Sequence, residues 1–244
     1  MPSFKHDNVE IAYLDQGAGD PILLVHGFAS NKETNWVQPG WVSTLTRDNR
    51  RVIALDNRGH GQSTKLYDPP QYHTDLMARD AAALIDHLGL DRVDVMGYSM
   101  GARITSVVAA RHGSRVRSAI LGGVGTNVIE GAGLRGDVAE ALEAPSIQDV
   151  TDPVGKAFRL FAEQTRSDLR ALAACLRGSR QAALSRAELH AISVPVLVAT
   201  GTKDDVVGSP HDLAALIPGA EQVASTAGTW PAVERRNHCA PRPP

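Results

Sequence analysis

Ser99 stands between two glycines in Gly97-Tyr98-Ser99-Met100-Gly101, a G-x-S-x-G arrangement. A serine hydroxyl is a weak nucleophile at neutral pH. To attack a carbonyl carbon it needs a base that takes its proton, a carboxylate that orients the base, and N–H donors for the charge developing on the carbonyl oxygen. The residues around Ser99 supply the first part of such a device. Arg92 to Met96 is short, rich in β-branched residues and reads as a buried strand. Ala102 to His112 carries apolar residues at helical spacing. A sharp strand-to-helix turn needs torsions and close packing that a Cβ would obstruct, which accounts for both glycines. Such a turn lifts the hydroxyl above the sheet and aims backbone N–H groups at one point. A glycine-bracketed serine is a common chance pattern by itself; the strand before it and the helix after it favour the functional reading.

The remaining elements must position this turn. The 244 residues suffice for one α/β domain with a full core and leave room for a small insertion. A net charge of -2 gives no electrostatic case for nucleic acid or an anionic membrane as partner. No apolar run approaches bilayer length, and Met1 to Asp7 lacks the apolar core of a signal peptide, so a cytoplasmic location is expected. Cys175 and Cys239 show no metal-ligand spacing and are expected to stay reduced.

Phe4 to Leu14, with Val9, Ile11 and Tyr13 alternating, reads as an opening strand. Ile22 to Val25 is continuously apolar, as suits a central parallel strand covered on both faces, and Arg51 to Leu55 follows the same logic. Asp75 to Leu88 carries an apolar helical face that Gly89 should terminate. Val116 to Leu121 is the next strand. From Thr126 to Leu189 no strand pattern appears, only helical segments such as Pro153 to Gln164 and Leu169 to Leu176. Val194 to Ala199 restores the sheet, Ser209-Pro210 opens a helix as N-cap and first residue, and Glu221 to Ala224 suggests one more strand. The fold class is therefore α/β, a mostly parallel central sheet flanked by helices. Ligands of such sheets bind beyond the carboxyl ends of the strands. Four strand ends converge there, carrying His26-Gly27-Phe28, Asp56, Ser99 and Asp204.

In these four motifs the chain resembles the α/β-hydrolase fold family: His26-Gly27-Phe28 after the third strand, Asp56-Asn57-Arg58-Gly59-His60-Gly61-Gln62-Ser63 after the fourth, Gly97 to Gly101, and Gly201-Thr202-Lys203-Asp204. The resemblance implies Ser99 as nucleophile and Asp204, chosen over Asp205 by the family's spacing from Gly201, as the acid. It also implies oxyanion donors from the backbones of Phe28 and Met100, with no cofactor and no metal. It divides the chain into a core from 1 to 125 and 190 to 244, and a helical cap from 126 to 189. Phe158, Leu160 and Phe161 of that cap suggest an acyl or alkyl pocket. His26 and His60 are read as turn braces and His211 as an exposed side chain; Trp36 and Trp41 either line the pocket or pack the core.

The family's base is a histidine following the acid in chain order, usually near residues 228 to 232, where this chain has Gly228-Thr229-Trp230-Pro231-Ala232. His238 is the remaining candidate. Its surroundings, Arg235 to Pro244, hold prolines that forbid the usual closing helix. A change of reading frame near Val223 and a natural short variant both account for such a tail. The expected activity is cleavage of small carboxylic esters through an acyl-serine intermediate, as in a carboxylesterase. Lactonase, carbon–carbon bond hydrolase and haloperoxidase-like members use the same serine, and a non-catalytic small-ligand-binding member is the reading from another class.

Overall fold

The structure, a computed structural model, describes residues 1–131, 137–181, 183–201 and 207–225. Elements follow in chain order. The chain opens with strands β1 (Ser3–His6) and β2 (Val9–Gln16), then β3 (Asp20–Val25), helix α1 (Trp41–Arg47), β4 (Arg50–Leu55), α2 (Thr74–His87), β5 (Val93–Tyr98), α3 (Met100–Arg111) and β6 (Val116–Gly122). Among the described residues there follow α4 (Asn127–Glu130), α5 (Val138–Glu143), α6 (Pro153–Gln164), α7 (Leu169–Gly178) and α8 (Arg186–His190). The chain then returns to the sheet through β7 (Val196–Gly201), α9 (Pro210–Leu216) and β8 (Glu221–Ser225). Between β6 and β7 no strand occurs among the described residues.

The strands form one eight-stranded sheet in the order β1-β2-β4-β3-β5-β6-β7-β8. Strands β4, β3, β5, β6, β7 and β8 pair in parallel, whereas β1–β2 and β2–β4 are antiparallel. Alternation on the pleat divides β3 and β4 between two cores. Leu23 and Val25 of β3 join Ile53 and Leu55 of β4 in a large cluster with α2 and α3. Ile22 and Leu24 join Val52 and Ala54 in a smaller cluster on the opposite face. Strands buried on both sides need no polar face, which is why these stretches read as unbroken apolar runs.

One expectation is corrected here and one open choice is decided. Phe4 to Leu14 is not one strand: Asp7 (φ 46°) and Asn8 (φ 63°) both adopt left-handed torsions and turn the chain into a β1–β2 hairpin. Short polar side chains tolerate such torsions, and two in succession match the tight hairpin turn. Of the two readings open for Trp36, the structure takes core packing. This residue is 1% exposed within the smaller cluster, and the ring of Trp41 packs edge-on against it at 6.4 Å. The helix signals hold closely: Gly89 stops α2 with φ 64°, and the Ser209 side chain caps α9 by accepting from the Asp212 amide.

Candidate active site

Ser99 sits between the last residue of β5 and the first of α3, with φ 52° and ψ -114°. A non-glycine residue at these torsions costs about 1–3 kcal/mol, so its surroundings must hold it there. They do so from both sides. The Ser99 amide donates to the Gly122 carbonyl at 2.8 Å, continuing the ladder with β6, while its own carbonyl accepts from the amides of Ala102 and Arg103. The glycines let the layers meet. A Cβ at Gly97 would overlap the Gly101 carbonyl and the Thr105 hydroxyl, and one at Gly101 would run into the Val25 and His26 carbonyls at the end of β3. The start of α3 therefore lies directly against β3, and the Ser99 side chain is exposed at that edge.

The turn after β3 faces Ser99. A Cβ at Gly27 would lie 3.6 Å from the Ser99 Cβ. Buried polar contacts fix this turn. The Gly27 amide donates to Asn35 Oδ1 at 2.9 Å. His26 Nε2 accepts from the Asn57 amide at 2.9 Å, which leaves the proton on Nδ1 to be donated to the Gly27 carbonyl at 2.8 Å. Burial holds the His26 ring below its usual pKa, in keeping with that neutral tautomer. Asp56, at the end of β4, accepts from the Lys32 amide (2.8 Å), Lys32 Nζ (2.6 Å) and the Gln62 amide (2.8 Å). Burial works to raise the Asp56 carboxyl, but the Gln62 and Lys32 donors outweigh it and hold it below the usual carboxylate value. His60 is fully buried, donates through Nδ1 to the Arg58 carbonyl at 3.0 Å and is pushed down to about 3, principally by burial. A ring so placed is a brace; it packs on His26 and on Phe28.

Two amides at this edge are uncommitted. Among the described residues neither the Phe28 nor the Met100 N–H donates a hydrogen bond, although Phe28 is 6% and Met100 6% exposed as residues. Met100 is the first residue of α3, whose leading amides have no intrahelical acceptor. The structure thus brings together Ser99, Phe28 and Met100. Asp204 and His238 lie outside the described residues. The strand preceding Asp204, β7, is separated from β5 only by β6, so its carboxyl end shares the edge that carries Ser99. His211 is 80% exposed on α9, beside Asp212.

Further side chains border the site, Phe158 from the sequence reading and others, Cys175 and Arg103, that it did not place there. The ring of Phe158 from α6 packs on Phe28 at 5.8 Å. Cys175 Sγ lies 3.9 Å from Met100 Sδ, and burial raises this thiol to about 12, so it packs as an inert apolar group. Arg103 is buried and donates to the Ser179 carbonyl at 3.0 Å and the Gln181 carbonyl at 2.5 Å, just past the C-terminus of α7. Burial lowers its guanidinium to about 10. A cation at a helix C-terminus is favourably placed against the macrodipole. No cluster of three or more His, Cys, Asp or Glu side chains suited to a metal occurs among the described residues.

A mostly parallel sheet with a strained serine at the carboxyl end of a central strand, its turn closed by glycines, defines the nucleophile-elbow class of α/β proteins. The family model for the alpha/beta hydrolase fold matches residues 20–190, and the chain belongs to this family. A non-heme haloperoxidase of Rhodococcus erythropolis is 39% identical over 119 residues, covering 47% of this chain and 40% of that protein. The matches span about half or less of the length of the curated relatives. Among solved structures, the enol-lactonase from Burkholderia xenovorans LB400 superposes with a TM-score of 0.75 over 96% of this chain and 95% of its own, at 23% identity, a likeness of fold alone. A thermophilic esterase from Thermogutta terrifontis is 26% identical with a TM-score of 0.66, covering 93% of this chain and 89% of its own.

Proposed function

We propose that the chain is a serine hydrolase of small carboxylic esters that works through an acyl-Ser99 intermediate. The observation that carries this reading is the exposed, strained Ser99 beside two uncommitted amides, Phe28 and Met100. In the proposed reaction Ser99 Oγ attacks the ester carbonyl carbon while its proton passes to the imidazole of His238, which Asp204 orients. The carbonyl oxygen, now negative, receives the Phe28 and Met100 N–H groups, each worth about 3 kcal/mol in the transition state. The carbon–oxygen bond to the alcohol then breaks, and the alcohol leaves with the proton from the imidazolium. Water next loses a proton to the same imidazole and attacks the acyl-serine, releasing the acid and regenerating Ser99. Residues 126–189 act as the cap over this edge, with Phe158 as part of the acyl wall. The thermophilic esterase, 26% identical over most of both chains, supports acyl transfer.

The test is hydrolysis of a short-chain aryl ester by the full chain, Ser99→Ala and His238→Ala. Turnover by the parent and loss in both variants is expected. Loss in Ser99→Ala alone would overturn the base assignment. A panel of ester, lactone and amide substrates then defines the reaction. The absence of histidine from Gly228 to Ala232 favours one second reading, a member of the fold that only captures a small ligand; an inert parent chain would decide for it.

A further inference from the structure

We propose that Thr165 is a positioning residue for the oxyanion turn, holding the backbone of Phe28 and Ala29 in register with Ser99 through a hydrogen bond from the helical segment. The proposal rests on the reading above, in which the Phe28 amide receives the oxyanion. Ala29 follows Phe28, is 0% exposed and has φ 57°, a left-handed torsion unfavourable for alanine. Its carbonyl is in reach of one donor among the described residues, the Thr165 hydroxyl at 3.0 Å, from a residue 136 positions away. A buried carbonyl without a donor is costly, so this contact is what makes the strained turn tenable.

The Thr165 hydroxyl has one proton and three carbonyls within reach: Ala29 at 3.0 Å, Phe161 at 3.1 Å and Ala162 at 3.1 Å. The latter two already accept main-chain amides, Phe161 from Thr165 and Ala162 from Ser167, both at 2.9 Å. Hydrogen-bond economy therefore assigns the proton to Ala29, and the Ser167 hydroxyl, 2.9 Å from Thr165 Oγ1, donates to the Thr165 oxygen. The end of α6 fixes the hydroxyl in turn. Arg166 takes φ 53°, its amide bonds to the Glu163 carbonyl and that of Ser167 to the Ala162 carbonyl, which is the Schellman closure of a helix. Phe158, on the same helix, packs on the Phe28 ring, so α6 holds Phe28 by an apolar contact and Ala29 by a polar one. When the hydroxyl is lost, the Ala29 carbonyl seeks another donor, the Phe28–Ala29 backbone rotates, and the Phe28 amide swings from the place where the oxyanion forms.

The experiment compares Thr165→Val, which keeps the shape and removes the hydroxyl, with Thr165→Ser and Ser167→Ala in the full chain. The readouts are kcat and KM on a short-chain aryl ester, the inhibition constant of phenylboronic acid, whose tetrahedral Ser99 adduct places an oxygen at the oxyanion position, and the thermal midpoint. Thr165→Val is expected to lose about tenfold or more in kcat at unchanged KM, with boronate affinity falling in parallel. Thr165→Ser is expected to restore both. Ser167→Ala is expected to keep parental kcat, because Thr165 can still donate to Ala29. Parental kcat and boronate affinity in Thr165→Val would overturn the proposal. So would a Ser167→Ala as slow as Thr165→Val, or a Thr165→Ser that fails to rescue, since each marks the hydroxyls as helix-end packing only. A parent chain that neither turns over ester nor binds the boronate overturns the acyl-serine reading itself, and the role of Thr165 with it.

Discussion

Gly101→Ala tests whether the close approach of α3 to β3 sets the chemistry. A Cβ at 101 would lie 2.6 Å from the Val25 carbonyl carbon and 2.7 Å from the His26 carbonyl oxygen, with the Val25 oxygen nearer than either. All three are backbone atoms at the end of a central strand, so no rotamer change relieves the overlap; α3 must withdraw from β3, by roughly 1 Å, to reach an ordinary separation. The two amides proposed to receive the oxyanion sit on opposite sides of this seam, Met100 on α3 and Phe28 just after β3. Withdrawal pulls one donor from a position that must be held to a few tenths of an ångström. Loss of one donor costs about 3 kcal/mol, roughly a hundredfold in kcat, and the overpacked seam costs about 1–3 kcal/mol in stability. The assay is aryl-ester turnover well below the thermal midpoint, with Gly113→Ala as control, since a Cβ there meets no atom within 4 Å. A Gly101→Ala enzyme with parental kcat would refute the argument that this contact positions the donors.

Other perturbations follow from the braces. Lys32→Met leaves the Asp56 carboxylate buried without its cation, both side chains being 1% exposed, and should destabilise the fold by about 3–5 kcal/mol; Lys32→Met with Asp56→Asn should recover much of this in urea unfolding. Acid should destabilise the protein below pH 6.5. Burial lowers both His26 and His60, the latter to about 3, so between 6.5 and 3 the unfolded chain binds protons that the folded His60 does not, and stability present above 6.5 is lost as pH falls. The slope is up to about 1.4 kcal/mol per pH unit for each histidine, His60→Asn should flatten it, and stability rising from pH 6.5 to 5 would refute it. Arg166→Gly relieves a left-handed torsion and should raise the thermal midpoint by about 1–3 °C, the gain being partly offset by the freer unfolded chain.

The sheet was legible because its signals are local and redundant. Ile22 to Val25 must be buried on both faces, and Gly97 and Gly101 make sense only where layers touch, so the elbow could be placed from residue types alone. The β1–β2 hairpin was missed although Asp7-Asn8 carries its own turn chemistry, because the alternation of Val9, Ile11 and Tyr13 continued smoothly past it. Trp36 shows a different limit: an aromatic near a strand end suits a pocket wall and a second core equally until the packing is known. The contacts of Thr165 with Ala29 and of Arg103 with Ser179 have no sequence signature, since periodicity reports which face is buried and not which donor meets which carbonyl. Asp204 and His238 rest on the motif order alone.

The helices between β6 and β7 are fastened to the serine-bearing edge by contacts of different chemistry, among them a guanidinium on the end of α7, a ring pair at Phe28 and a hydroxyl at Ala29. This makes the segment a poor candidate for free exchange. On the proposed reading, in which this segment walls the substrate chamber, a graft from a relative would import new walls but lose the fastenings, and the recipient would show a broken reaction centre rather than a new preference. Successful chimeras should therefore be those that retain Phe158 and Thr165 on the incoming helix and carbonyls in reach of Arg103, leaving the helix face around Val154 and Leu160, exposed in this chain, free to diverge.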